Sequence, residues 1–225
     1  MSTLSAARSI QLASPEGLRQ LQGSLPGGRP AQKVARAEWS YAACSGRLIE
    51  VSGSARSAVL SLAFALVRDA QGQGEPVAWI TGPDGMFFPP DVAGCGVDAA
   101  ALVVVRLPEM RAAARVADRL LRSGGFGVTV LDFISAATRE RSFIPAPYQG
   151  RLVQLAQRQD ASVVCLTAQP EAWPSLSSMV SLRAIAERGK PGKMQVPATL
   201  RVVKDKLHGA NWQHREVYRA PDGMC

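Results

Sequence analysis

The sequence predicts an α/β domain: a mostly parallel sheet flanked by helices, closed at its C-terminal end by antiparallel strands. Two patterns and a size argue for it. From residue 47 onward, short Val- and Ile-rich runs alternate with longer helical patterns, the order that builds parallel strands through helical crossovers. Beyond residue 168 the texture changes to strand-like pieces broken by turn residues, which suits hairpin-connected strands. A chain of 225 residues, 47% apolar and 20% charged, is large enough for one such core and short for two.

Residues 1–45 contain "SLPGGRPAQKVARAE", whose Pro and Gly interrupt any period, so they read as a partly flexible N-terminal arm ahead of a core domain at 46–225. Trp39 and Tyr41 in this arm either dock onto another protein or close one end of the domain's own core. The parallel strands are "RLIEVS", "PVAWIT", "ALVVVR", "GVTVLDF" and "SVVCLTA". Helices are expected at about 57–70, apolar almost all round and therefore buried, at about 109–122 and at about 148–159. "MVSLRAI", "ATLRVVKDK" and "REVYRA", separated by "RGKPGK" and "HGANWQ", are the expected antiparallel strands.

Composition narrows the function. Cys44, Cys95, Cys165 and Cys225 are scattered, and His208 and His214 are the only imidazoles, which argues against a zinc site or a disulfide framework. Cys165, inside "ASVVCLTA", reads as a small core residue. The chain has no apolar run long enough to span a bilayer and no secretory leader pattern, so the expectation is a cytoplasmic protein without a membrane partner. A net charge of +8 points to an anionic partner, nucleic acid or an acidic protein surface. Residues 181–225 hold nine Lys/Arg against four Asp/Glu, a surplus of five.

The stretch "LIEVSGSARSAVLSLAFALVRDA" has the outline of a phosphate-binding loop: apolar strand, glycine, polar turn, apolar helix. Such a loop works through G-x-x-x-x-G-K-[ST], its amides closing on phosphate, its lysine supplying charge and its hydroxyl binding Mg²⁺. Placed on Gly53, that pattern puts Ala58 at the second glycine, Val59 at the lysine and Leu60 at the hydroxyl. Hydrocarbon would then face a polyphosphate, and nucleotide hydrolysis is not expected. Arg56 and Ser61 are the polar groups left near the helix start for any anion. Asp132, ending the strand "GVTVLDF", is placed as a metal-binding carboxylate would be.

In order and spacing, residues 47 to about 222 resemble the ATPase core of the RecA recombinase family. "GRLIEVSG" looks like the strand entering its phosphate loop; "LVVVRLPEMRAAARVADRLLRSGGFGVTVLDF" resembles its next strand, helix and Walker B strand, with an "ADxLxRSG" core. "TLRVVKDKLHGANWQHREVYRAPDGM" is similar to the closing pair of strands. The resemblance makes Asp132 the Walker B aspartate and Gln169 the nucleotide-sensing glutamine, and leaves Pro83, beside Asp84, at the catalytic glutamate. "PEAWPSLSS" stands where the family has a longer DNA-contacting loop, and the chain ends before any C-terminal domain, so filament formation on DNA is not expected.

Two families of RecA-like proteins without hydrolysis frame the functional expectation. The chain is more similar to ImuA, which acts in SOS mutagenesis with the polymerase-like ImuB and an error-prone replicative-type polymerase, than to SulA, the inhibitor of the tubulin-like division protein. The resemblance implies RecA and ImuB as partners, no cofactor, no catalytic residue, and a nucleoid-associated cytoplasmic protein of translesion synthesis. Three surfaces would carry partners or weak DNA affinity. They are the helix arginines Arg111, Arg115, Arg119 and Arg122; the segment with Arg139, Arg141, Phe143, Tyr148 and Arg151; and the C-terminal cations Lys190, Lys193, Arg201, Lys204 and Lys206. Each has a plainer reading as a solvated face, a structural loop or a charged sheet edge.

Overall fold

A computed structural model describes residues 37–54, 56–83, 87, 92, 94–134, 144–190, 192 and 195–219. Arg139, Arg141, Phe143, Asp84, Lys193 and most of the N-terminal arm lie outside the described residues. Eight strands form one sheet: β1 (Leu48–Ser52), β2 (Val77–Thr81), β3 (Leu102–Arg106), β4 (Val128–Asp132), β5 (Ser162–Thr167), β6 (Leu182–Arg188), β7 (Gln195–Asp205) and β8 (Gln213–Arg219). Their order is β3-β2-β4-β5-β1-β6-β7-β8. The first six run parallel; β7 and β8 are antiparallel. The stretch "MVSLRAI" thus differs from expectation: the strand it feeds, β6, is parallel to β1 and only its other edge meets β7 in antiparallel register.

Helices cover both faces. On one side lie α1 (Tyr41–Cys44) and α2 (Val59–Gly72); on the other, α3 (Ala113–Ser123) and α4 (Ala146–Gln159). Covered on both faces, β1, β2, β4 and β5 are buried at every position, which is why their sequences are near-continuous apolar runs. In α2 the residues Val59, Leu62, Ala63, Leu66, Val67 and Ala70 recur at helical spacing and face the sheet. Phe64 stacks on Trp79 at 5.0 Å between ring centres, anchoring that layer. α3 stops at Gly124, whose φ of 68° closes the helix in the left-handed conformation. Among the described residues no helix is long and apolar enough to cross a membrane.

Trp39 and Tyr41, grouped by sequence with the arm, belong to this core. Trp39 is 5% exposed and donates its indole N–H to Leu62 O at 2.9 Å. Tyr41 donates its hydroxyl to Asp160 O at 2.9 Å, and burial pushes its pKa up to about 12. Cys165 is fully buried, as its apolar context suggests, and burial raises its thiol pKa. Burial likewise pushes the Cys44 thiol up to about 12.

Candidate functional site

Connections leave the carboxyl ends of β1, β5 and β6 in different directions, because β1 lies between β5 and β6 while its own crossover leads to β2. Such a switch point opens a crevice, and ligands of α/β sheets bind there. In this chain the crevice is a cleft of about 560 Å³, whose wall includes Gly53, Arg56, Ser57, Gln169, Glu187 and Arg188. It lies beside the loop that follows β1. Arg56 and Arg188 share the wall with Glu171 and Glu187, both of which pair with Arg201.

The loop from β1 to α2 is folded tightly. Gly53 N continues the ladder to Thr167 O at 2.9 Å, and Ser57 turns back so that both its N–H and its hydroxyl bond Ser54 O, at 2.9 and 2.7 Å. Gly53 is required by this packing: a Cβ there would collide with Ser57 Oγ and lie 3.3 Å from Ala186 O. The Ser57 amide, which a phosphate loop would offer to its ligand, is therefore occupied. Ala58 starts α2 without a side-chain cap. Ala58 and Val59 are 5% and 2% exposed and belong to the core, Leu60 packs against it, and none of the three lines the cleft.

The two positions with family-like identities part ways. Gln169 is buried and lines the cleft at the end of β5. Asp132 is fully buried and lies outside the cleft wall. Its Oδ2 accepts from Trp79 Nε1 and Thr81 Oγ1, each at 3.4 Å, and its Oδ1 accepts from Ile134 N at 3.1 Å. These contacts hold the carboxylate inside the sheet layer. Among the described residues no group of three or more His, Cys, Asp or Glu side chains is placed to hold a metal ion.

Sequence reading missed the polar assembly behind the cleft. Glu50, in the middle of β1, is fully buried and opposite Arg183 of β6 in the ladder. Their closest ionic atoms are 3.6 Å apart. Glu50 also accepts from Ser175 Oγ at 2.6 Å, Leu176 N at 3.0 Å and Ser52 Oγ at 3.4 Å; Ser52 Oγ in turn lies 2.9 Å from Thr167 Oγ1. Arg183 donates to Trp173 O at 2.7 Å and Pro170 O at 3.1 Å. The segment "PEAWPSLSS" is thereby tied down across the sheet, its backbone satisfying a buried ion pair. Arg201 fixes the cleft wall, bonding Glu171 at 3.0 and 2.7 Å and Glu187 at 3.0 Å; the Arg201 hydrogen bond lowers the Glu171 pKa. A lone charge within an apolar strand, as in "LIEVS" and "LRAIA", was the available signal.

The surface candidates are rearranged. Arg111 falls in a 3-10 turn before α3 and pairs with Glu109, so it leaves the helical row. Arg115 and Arg119 remain exposed on α3, whereas Arg122 bonds Asp118 at 3.1 Å. Tyr148 and Arg151 sit in the first turns of α4, with the guanidinium 5.5 Å over the ring. Lys204 is half-buried in β7, where burial lowers its pKa; Lys206 lies past the strand end and donates to Ser178 O at 2.8 Å. Asp205, between them, points inward to Arg47 at 2.6 Å and is joined by Leu207 N, His208 Nδ1 and Trp212 Nε1. Burial works against its charge, but Leu207 N–H, Arg47 and His208 more than compensate and hold its pKa at about 2.

No protein-family model matches the chain. Curated RecA proteins from Fusobacterium nucleatum subsp. nucleatum, Bifidobacterium breve and Bifidobacterium longum are 33% identical to it over 91 residues, 40% of its length. The match spans 24% of the Fusobacterium protein and 23% of the bifidobacterial ones, so about a quarter of those relatives is represented. With the observed sheet, this likeness gives a RecA-like α/β core.

Proposed function

We propose that this chain is a RecA-like accessory protein of DNA damage-induced mutagenesis that acts by holding partners and does not hydrolyse nucleotide. The observation that carries this reading is the loop after β1. Its side chains at the second-glycine, lysine and hydroxyl positions, Ala58, Val59 and Leu60, serve the core beneath α2. Among the described residues no lysine lines the cleft, the Ser57 amide is taken up by Ser54 O, and Asp132 is engaged inside the sheet. Transition-state charge in phosphoryl transfer is stabilised by those groups, so their replacement removes the catalysis and leaves the scaffold.

In this role the protein binds RecA and, as in the ImuA family, an ImuB-like partner, and so helps bring an error-prone polymerase to damaged DNA. Support comes from the RecA-like core, the net charge of +8 and the partner expectations that the ImuA resemblance supplies. Co-purification tests it: the tagged protein should capture RecA and ImuB. Capture of the tubulin-like division protein, with suppression of its GTPase and no RecA, would replace this reading by the SulA-like one.

A further inference from the structure

Helices α3 and α4 pack side by side on the sheet face opposite α2. Together they carry Arg115, Arg119, Arg122, Arg151 and Arg158 against one acid, Asp118. At their seam Arg122 Nε and Arg151 Nη2 donate to the same Asp118 oxygen, at 3.1 and 2.9 Å. One carboxylate thus serves two guanidiniums, whose side chains stay 56% and 45% exposed. Arg115, Arg119 and Arg158 are exposed and have no ion-pair partner among the described residues. The acids nearest in sequence lie off this surface's centre: Glu109 is paired with Arg111, and Asp160 caps the far end of α4.

Val116 and Leu120, each one residue on from Arg115 and Arg119 along α3, flank the arginine stripe and are half-buried against the core. Arg115, Arg119 and Arg122 recur at four and three residues, so they form a stripe along one side of α3 with Val116 and Leu120 beside it. A ligand that meets both stripes must present carboxylates and apolar side chains at helical period, which is an amphipathic helix. A nucleic acid strand fits less well. The surface is built from convex helices, and the aromatic it carries among the described residues, Tyr148, is half-buried with the Arg151 guanidinium 5.5 Å over one face of its ring.

We infer that the α3–α4 face is a docking surface for an acidic amphipathic helix of a partner protein. The carboxylates of that helix engage Arg115, Arg119 and the Arg122–Arg151 pair, and its apolar side covers Val116 and Leu120. The surface lies on the opposite sheet face from α2, so the inference does not depend on what the cleft binds.

The test uses the full chain and fluorescence anisotropy with a labelled peptide carrying Glu and Leu at helical spacing. A Glu-to-Gln version of the peptide and a labelled single-stranded oligonucleotide run beside it. The acidic peptide should bind, weaken as salt rises and lose at least about tenfold in affinity to the R115E/R119E variant. The R115Q/R119Q variant should fall between, and circular dichroism should be unchanged in both because the two side chains are exposed. Failure of the peptide to bind, equal binding by the Gln version, or equal binding by both variants would overturn the inference. So would displacement of the peptide by the oligonucleotide together with loss of oligonucleotide binding in R115E/R119E.

Discussion

Val59→Lys restores the lysine of a phosphate loop at the position the motif assigns to it, and the core beneath α2 sets the cost. Val59 is 2% exposed at the first turn of α2 and belongs to the core between that helix and the sheet. Burying a valine side chain is worth about 1.5–3 kcal/mol, and the lysine forfeits much of that. Its ammonium must then either stay in hydrocarbon, where desolvation opposes the charge, or drag its stem out and leave a cavity. The sum is about 2–4 kcal/mol, a drop of roughly 5–15 °C in Tm for a domain of this size. Urea unfolding followed by tryptophan fluorescence, to which the buried Trp39 and Trp79 contribute, measures it, with exposed Arg56→Lys as a control expected within about 0.5 kcal/mol of wild type. Val59→Ala, losing about 1–2.5 kcal/mol, supplies the answer if the lysine variant does not fold. Stability of Val59→Lys within about 0.5 kcal/mol of wild type would mean that position 59 does not face the core.

Three other perturbations probe the same packing. Gly53→Ala should cost about 1–2 kcal/mol through its collision with Ser57, and Ser57→Ala should relieve part of that loss in the double variant; additive losses in chemical denaturation would contradict the packing. Glu50→Gln should cost about 3 kcal/mol by stranding Arg183, and a double-mutant cycle with Arg183→Met should give a coupling above about 1 kcal/mol; a coupling near zero would separate the two groups. Asp205 has a folded pKa of about 2, below its ordinary 3.8, so its contribution of about 1–2 kcal/mol, allowing for screening, is complete above pH 3.8 and lost as pH falls through 2. The stability gap between wild type and Asp205→Asn, measured in urea, should narrow over that window; a constant gap would point to hydrogen bonding alone.

Much of the fold was readable because burial writes itself into sequence. Strands enclosed on both faces must be apolar throughout, and "PVAWIT" and "SVVCLTA" could hardly be anything else. The apolar character of Val59 and Leu60 likewise fits their places in and against the core beneath α2. What sequence could not supply was pairing between distant segments. Glu50 and Arg183 lie far apart in the chain and meet only because β1 and β6 are neighbours in the sheet. Asp205 stands between two lysines in sequence, and it meets Arg47, far away in the chain, only where the β6–β7 ladder shifts register and β7 ends. Arg111 was drawn into the arginine row by spacing alone, whereas the α-helix begins only at Ala113.

Titration of Mg-ATP into the purified protein by calorimetry, paired with capture of RecA by the same preparation, separates a partner-holding protein from a working nucleotide site. RecA should be captured, with no heat of ATP binding. Saturable ATP binding, above all if abolished by Asp132→Ala, would contradict this reading.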